Sequence, residues 1–166
     1  QGLANYIIAQ GGQNKGVAIA HDSRLMADEF TDAAALCLAA NGIKTYVFPS
    51  LRPVPELSFA VRQLGCIAGI VITASHNPSK YNGYKVYNHD GCQIGIKVAA
   101  EMIEEISHVD IFKEFKNIKS FDELVNNNMI SFIDLKIVDE FVKDTLKISL
   151  LKDFSKKEIK ILKLVI

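Results

Sequence analysis

Between residues 17 and 93, short apolar runs alternate with stretches whose apolar residues recur every three or four positions, a pattern that predicts strands alternating with helices. Residues 17–20 (VAIA) form the first run. Met26, Phe30, Ala34, Cys37 and Ala40 then fall at helical spacing until Asn41 and Gly42 supply a stop. Residues 44–48 predict the next strand, and Pro53 and Pro55 punctuate the loop that follows. Pro55 suits the first turn of a helix that carries Leu57, Ala60, Val61 and Leu64 as far as Gly65. Residues 67–73 return to the sheet as a β-branched run of the kind buried on both faces. Strands joined in this way imply parallel crossovers. After the Asn82-Gly83 turn signal, Tyr84 and Val86 alternate with Lys85 and Tyr87, which predicts an antiparallel return strand at the edge. The expected fold is α/β: a three-layer α/β/α sandwich with a mainly parallel sheet and an antiparallel edge strand.

The character changes after Gln93. Residues 95–106 predict a helix, and residues 109–128 read as a connector with short helical pieces. Residues 134–150 predict a packing helix with Val138, Phe141, Val142 and Leu146 on one face. The lysine-rich residues 152–163 read as a solvated face, and the closing residues 159–166 as a strand. The expected organisation is one domain over residues 1–130, incomplete at its N-terminus, and a connecting helix with the start of a second domain over 131–166.

Composition narrows the function classes. With 166 residues, 49% of them hydrophobic, the chain can bury one substantial core. Nineteen basic residues balance nineteen acidic ones, so no general field draws the chain to nucleic acid or an anionic membrane. Any phosphate site must be local. Cys37, Cys66 and Cys92 are widely spaced and form no CxxC, which points to reduced thiols in a cytoplasmic protein rather than a disulfide scaffold or a zinc site. No apolar run is long enough to span a bilayer, and the opening residues lack the layout of a signal peptide. Glutamine at position 1 suggests numbering that begins inside a longer protein.

The densest chemistry lies in residues 69–93. The apolar run there ends in Thr73, Ala74, Ser75, His76, Asn77 and Pro78, which are small, polar or incompatible with a continuing helix. The chain should leave the sheet at the carboxyl end of that strand, where open α/β sheets place their ligands. A serine hydroxyl is a weak nucleophile until a base or its electrostatic surroundings activate it, and His76 and Lys85 are the local candidates. The hairpin should swing Lys85 back toward Ser75. An isolated Ser-His pair in a loop would read as polar punctuation. Asp22 and Arg24, in the HDSR after the first strand, fit either an ion pair behind the serine loop or a solvated first helical turn. His21 and His89 lie near element ends and receive no role.

The combination of TASHNP with a downstream NGYK resembles the active-site serine loop of the α-D-phosphohexomutases, the phosphoglucomutase and phosphomannomutase superfamily. The likeness extends through VAIAHDSR (17–24), AANGIKTYVF (39–48) and LRPVPELSFAVRQLG (51–65), covering nearly all of residues 1–93. The resemblance implies a mutase that moves phosphate between the 1- and 6-positions of a hexose through a phosphorylated Ser75. It implies that the serine phosphate is a ligand of Mg²⁺, that His76 shapes and polarises the site, and that Lys85 transfers the proton of the sugar hydroxyl. Thr73, Ala74, Asn77, Pro78, Asn82 and Gly83 would support the loop and the substrate, and Asp22 and Arg24 would form a supporting pair. Glucose 1,6-bisphosphate would be intermediate and activator, and a hexose phosphate the substrate. The wording YNGYKVY favours a phosphoglucomutase, with a phosphomannomutase, a phosphopentomutase or a non-catalytic phosphate-binding domain as alternatives. The chain departs from the family pattern in lacking the DxDxD-like aspartate loop that supplies the protein ligands of Mg²⁺, and Val54 stands where many relatives carry threonine. It therefore resembles a fragment, inert alone, whose partners are the missing domains of the same polypeptide.

Overall fold

The computed structural model describes residues 1–112 and 119–149, so the expected solvated face at 152–163 and strand at 159–166 lie outside the described residues. Gln1–Asp134 forms one compact unit, and a second begins at Leu135. The first unit contains α1 (Gly2–Ala9), β1 (Val17–His21), α2 (Ala27–Ala40), β2 (Thr45–Val47), α3 (Val54–Gln63), β3 (Ala68–Ile72), β4 (Tyr84–Asn88), α4 (Ile96–Ser107), α5 (Phe121–Asn126) and β5 (Ile130–Phe132). The second contributes α6 (Lys136–Lys147).

The strands form a sheet in the order β4-β3-β1-β2-β5, parallel except for the antiparallel β3–β4 pair. The expected mainly parallel sheet with an antiparallel edge strand is therefore present. β1 (VAIAH) and β3 (AGIVI) are buried along their whole length, as central strands covered on both faces must be. Val17 and Ile19 of β1 and Ala68, Ile70 and Ile72 of β3 share a core with Leu3, Ala4 and Ile7 of α1, Leu38 of α2, Met102 of α4 and Leu124 of α5. The other face of β3 presents Gly69 to α3, where a Cβ would stand 2.5 Å from Val61 Cγ2. The two helical layers of the sandwich thus meet opposite faces of one sheet.

Local chemistry explains most boundaries. Pro53 caps α3 and Pro55 sits in its first turn, as expected. α5 opens with a capping box, in which Ser120 accepts from the Glu123 amide and the Glu123 carboxylate accepts from the Ser120 amide. The apolar stripe that signals α2 is not its core face: Met26 and Phe30 are exposed, and the buried positions are Ala27, Thr31, Ala35, Leu38 and Ala39. Phe30, Ala34 and Cys37 instead line an apolar cavity of about 720 Å³, with Gly2 of α1, Tyr84 of β4 and Met102 of α4 on its other walls. Two elements escape the hydrophobic pattern, α1 and the three-residue β5, which completes the sheet beside β2.

Candidate active site

Neighbouring strands β1 and β3 run parallel with His21 opposite Ile72, so the segments that follow them emerge side by side. From that point the chain departs in opposite directions, β1 toward α2 and β2, β3 toward the edge strand β4. Such a divergence opens a crevice at the carboxyl ends of the strands. The HDSR segment and the TASHNP loop both lie there.

Ser75 is exposed at the start of the loop and holds φ +59°, a left-handed conformation that is unfavourable for any residue with a Cβ. Both sides of its backbone are tied down. Its N–H donates to Thr73 Oγ1 at 3.0 Å, and its carbonyl accepts from Arg24 Nη2 at 2.5 Å. The Thr73 hydroxyl donates to Asp22 Oδ2 at 2.5 Å, and the same carboxylate oxygen accepts from Arg24 Nε at 3.0 Å. Asp22 Oδ1 accepts from the Arg24 main-chain N–H at 3.1 Å. Asp22 and Arg24 are therefore an ion pair rather than a solvated turn, and the Arg24 side chain is only 9% exposed.

Arg24 reaches further along the loop. Its Nη1 donates to the carbonyls of Asn77 (2.8 Å), Pro78 (2.9 Å) and Tyr81 (3.1 Å), so one guanidinium gathers the turn between Ser75 and the return strand. Asn82 Nδ2 donates to the Leu25 carbonyl at 2.9 Å, a second link between the two segments. Gly83 passes against β3: its carbonyl accepts from the Thr73 N–H at 3.0 Å, and a Cβ on it would stand 2.7 Å from the Thr73 carbonyl oxygen. Only glycine fits that approach. Thr73 and Ala74 are buried, while His76, Asn77 and Pro78 are exposed around Ser75.

The return strand forms as expected, with Lys85 partly buried and opposite Val71, one residue before the end of β3. Neither the Lys85 nor the His76 side chain makes a hydrogen bond or ion pair among the described residues. The loop thus presents an exposed serine and histidine, with Lys85 on the neighbouring strand β4, and none of these three side chains is engaged elsewhere among the described residues. His21, which carries no assigned role in the sequence, is buried under this site: Nδ1 lies 2.9 Å from the Asp22 carbonyl and Nε2 3.1 Å from Asp28 Oδ1. Its position at the end of a wholly apolar strand is the one sequence signal for that burial. His89 is exposed beside Asp90.

A Mg²⁺ ion takes oxygen ligands and usually keeps phosphate oxygens together with one or two carboxylates. Among the described residues no group of three His, Cys, Asp or Glu side chains could hold one. Asp22, the carboxylate nearest Ser75 along the ring of hydrogen bonds, is already committed to Arg24 and Thr73. These residues do not make a cation site by themselves.

A family model described as "Phosphoglucomutase/phosphomannomutase, alpha/beta/alpha domain I" matches residues 1–113. The phosphoglucomutase of Staphylococcus aureus (strain bovine RF122 / ET3-1) is 40% identical over 156 residues, covering 82% of this chain and 28% of that protein. The phosphoglucomutase of Staphylococcus haemolyticus (strain JCSC1435) is 34% identical over 160 residues, covering 96% of this chain and again 28% of the relative. The chain spans little more than a quarter of the length of these relatives. Among solved structures, a crystal structure from Thermus thermophilus superposes with a TM-score of 0.66 at 28% identity, covering 81% of this chain and 28% of that one. A phosphoglucomutase/phosphomannomutase family protein from Burkholderia thailandensis gives a TM-score of 0.62 at 23% identity, over 89% of this chain and 30% of that one, which speaks for the fold.

Proposed function

Since the chain belongs to the phosphoglucomutase/phosphomannomutase family and carries its α/β/α domain I, we propose that Ser75 is the phosphoryl carrier of a mutase that interconverts glucose 1-phosphate and glucose 6-phosphate. Phosphoserine gives its phosphoryl group to the 6-hydroxyl of glucose 1-phosphate, leaving serine and glucose 1,6-bisphosphate. The bisphosphate reorients, and the Ser75 hydroxyl takes the phosphoryl group from O1, leaving phosphoserine and glucose 6-phosphate. Lys85 accepts the proton of the sugar hydroxyl in the first half, while the departing Ser75 Oγ takes one from water; in the second half the attacking Ser75 hydroxyl gives its proton to water and Lys85 returns one to the departing sugar oxygen, and His76 orients the phosphoryl oxygens.

The observation that carries this reading is the exposed Ser75 at the carboxyl end of β3, its backbone pinned on both sides by Thr73 and Arg24. A nucleophile must be held within a fraction of an ångström of its attack geometry, and a loop serine without such tethers would not be. Glucose rather than mannose is favoured by the phosphoglucomutases among the relatives. Mg²⁺ enters only in the complete polypeptide, where residues beyond these would supply the remaining oxygen ligands. The domain alone is expected to be inert.

Intact mass and peptide mapping of the full-length protein test the proposal. A phosphate on Ser75 that glucose 6-phosphate removes supports it. A Ser75 that stays unmodified after incubation with Mg²⁺ and glucose 1,6-bisphosphate overturns it and leaves a phosphate-binding domain.

A further inference from the structure

The hydrogen bonds around Ser75 close a ring. Ser75 N–H donates to Thr73 Oγ1, Thr73 O–H donates to Asp22 Oδ2, Arg24 Nε donates to the same oxygen, and Arg24 Nη2 donates to the Ser75 carbonyl. Every donor in the ring has an acceptor, and the single charged acceptor faces the single cation. A hydroxyl donates its one proton and accepts on its lone pairs, so Thr73 receives the Ser75 N–H while its own proton goes to Asp22. Thr73 is thereby the one member of the ring that orients the Ser75 amide, while Arg24 orients the carbonyl.

We infer that Thr73 is a positioning residue for phosphoryl transfer: through its hydroxyl the Asp22–Arg24 pair holds Ser75 in the left-handed conformation that aims its Oγ out of the loop. The inference rests on the proposed phosphoserine chemistry. Opening the ring at Thr73 frees Ser75 to relax toward negative φ, the conformation its Cβ prefers. The Oγ then moves with the backbone. Because Thr73 is buried and its Oγ1 faces Asp22 and the Ser75 amide, a methyl in its place fills the same space and removes both bonds.

The test compares Thr73→Val and Thr73→Ser in the full-length protein. Serine keeps the hydroxyl and valine keeps the shape. Thr73→Val is expected to lower kcat for phosphoryl transfer by about tenfold to a hundredfold, the scale of a small misplacement of reacting atoms, with KM for the sugar phosphate little changed. Thr73→Ser should recover most of the rate. Residue-resolved hydrogen exchange should show faster exchange of the Ser75 amide in the valine variant and near-parental exchange in the serine variant and in the α3 and β1 amides of both. The inference is overturned by a valine variant as fast as the parent, by a serine variant as slow as valine, or by an unchanged Ser75 amide. A parent protein that transfers no phosphate at all refutes the phosphoserine reading instead, while the exchange data still report on the ring.

Discussion

Gly69 is the second residue of β3, the strand that delivers Ser75, and replacing it with alanine tests how closely α3 is seated on that strand. The added Cβ would lie 2.5 Å from Val61 Cγ2 and 3.5 Å from Leu57 Cδ1 and Cγ. Carbon atoms rest about 3.5–4.0 Å apart, so the Val61 contact demands a retreat of about 1 Å or more. Val61 and Leu57 are both fully buried. A valine in a helix has one strongly preferred rotamer, so the methyl cannot swing aside and α3 itself must shift. Overpacking of this kind costs about 1–3 kcal/mol, against which alanine regains roughly 0.5–1 kcal/mol of the backbone entropy lost by a strand glycine. The expected net loss is about 1–2 kcal/mol, or a melting temperature lower by roughly 3–8 °C. Urea titration of Gly69→Ala, Val61→Ala and the double variant gives the assay. The clash vanishes when Val61 loses its γ carbons, so the two effects should couple by about 1 kcal/mol or more in the favourable direction. A Gly69→Ala protein as stable as the parent, or a strictly additive cycle, would show that α3 is not seated on Gly69.

Arg24→Lys keeps the charge but loses the planar fork that reaches Asp22 and four loop carbonyls; it should ease opening of the loop by about 2 kcal/mol, the scale of one or two charge-assisted hydrogen bonds. Limited proteolysis between Ser75 and Asn82 measures this, and parental resistance would count against the clamp. At Ser75, where φ is +59°, glycine should be more stable than alanine by about 0.5–1 kcal/mol in paired denaturation curves, because the left-handed penalty of a Cβ exceeds the entropy that alanine removes from the unfolded chain; the opposite order would contradict the strained conformation. Burial pushes the Cys66 thiol up from 9.0 to about 12. The native state therefore keeps a proton that the unfolded chain releases above pH 9, so Cys66 contributes a loss of stability as pH rises from about 9 toward 12 and none below 9. Urea midpoints of the parent and Cys66→Ala should converge or cross over that interval, and at pH 8 a thiol reagent should label exposed Cys92 well before Cys66; equal labelling rates would refute the burial.

How much of this was legible along the chain depends on what kind of interaction each feature uses. Apolar runs at 17–20 and 67–73 announce β1 and β3 because a strand buried on both faces has no polar position to spare. TASHNP and NGYK announce the loop and the turn because backbone conformations there demand small, polar or glycine residues. The capping box of α5, Ser120 with Glu123, is equally readable inside the connector of short helical pieces. β5 was not, since three residues hold no period, and Ile130, Ser131 and Phe132 become a strand only by pairing with Thr45, Tyr46 and Val47. Nor was the core face of α2, because helical spacing shows that apolar residues share a side without saying whether that side meets the sheet or a cavity.

The layered α/β fold and the serine loop are readable along the chain, because partition between water and core and local turn chemistry are written in side chains. What Arg24 holds, why Ser75 keeps a positive φ, and that Thr73 joins it to Asp22 emerge only once the chain has folded. The bonds of Arg24 end on main-chain carbonyls more than fifty residues along the chain, and Thr73 is tied to Ser75 through a main-chain amide. Every residue carries these groups alike, so no side-chain pattern can name the partner before the chain has folded.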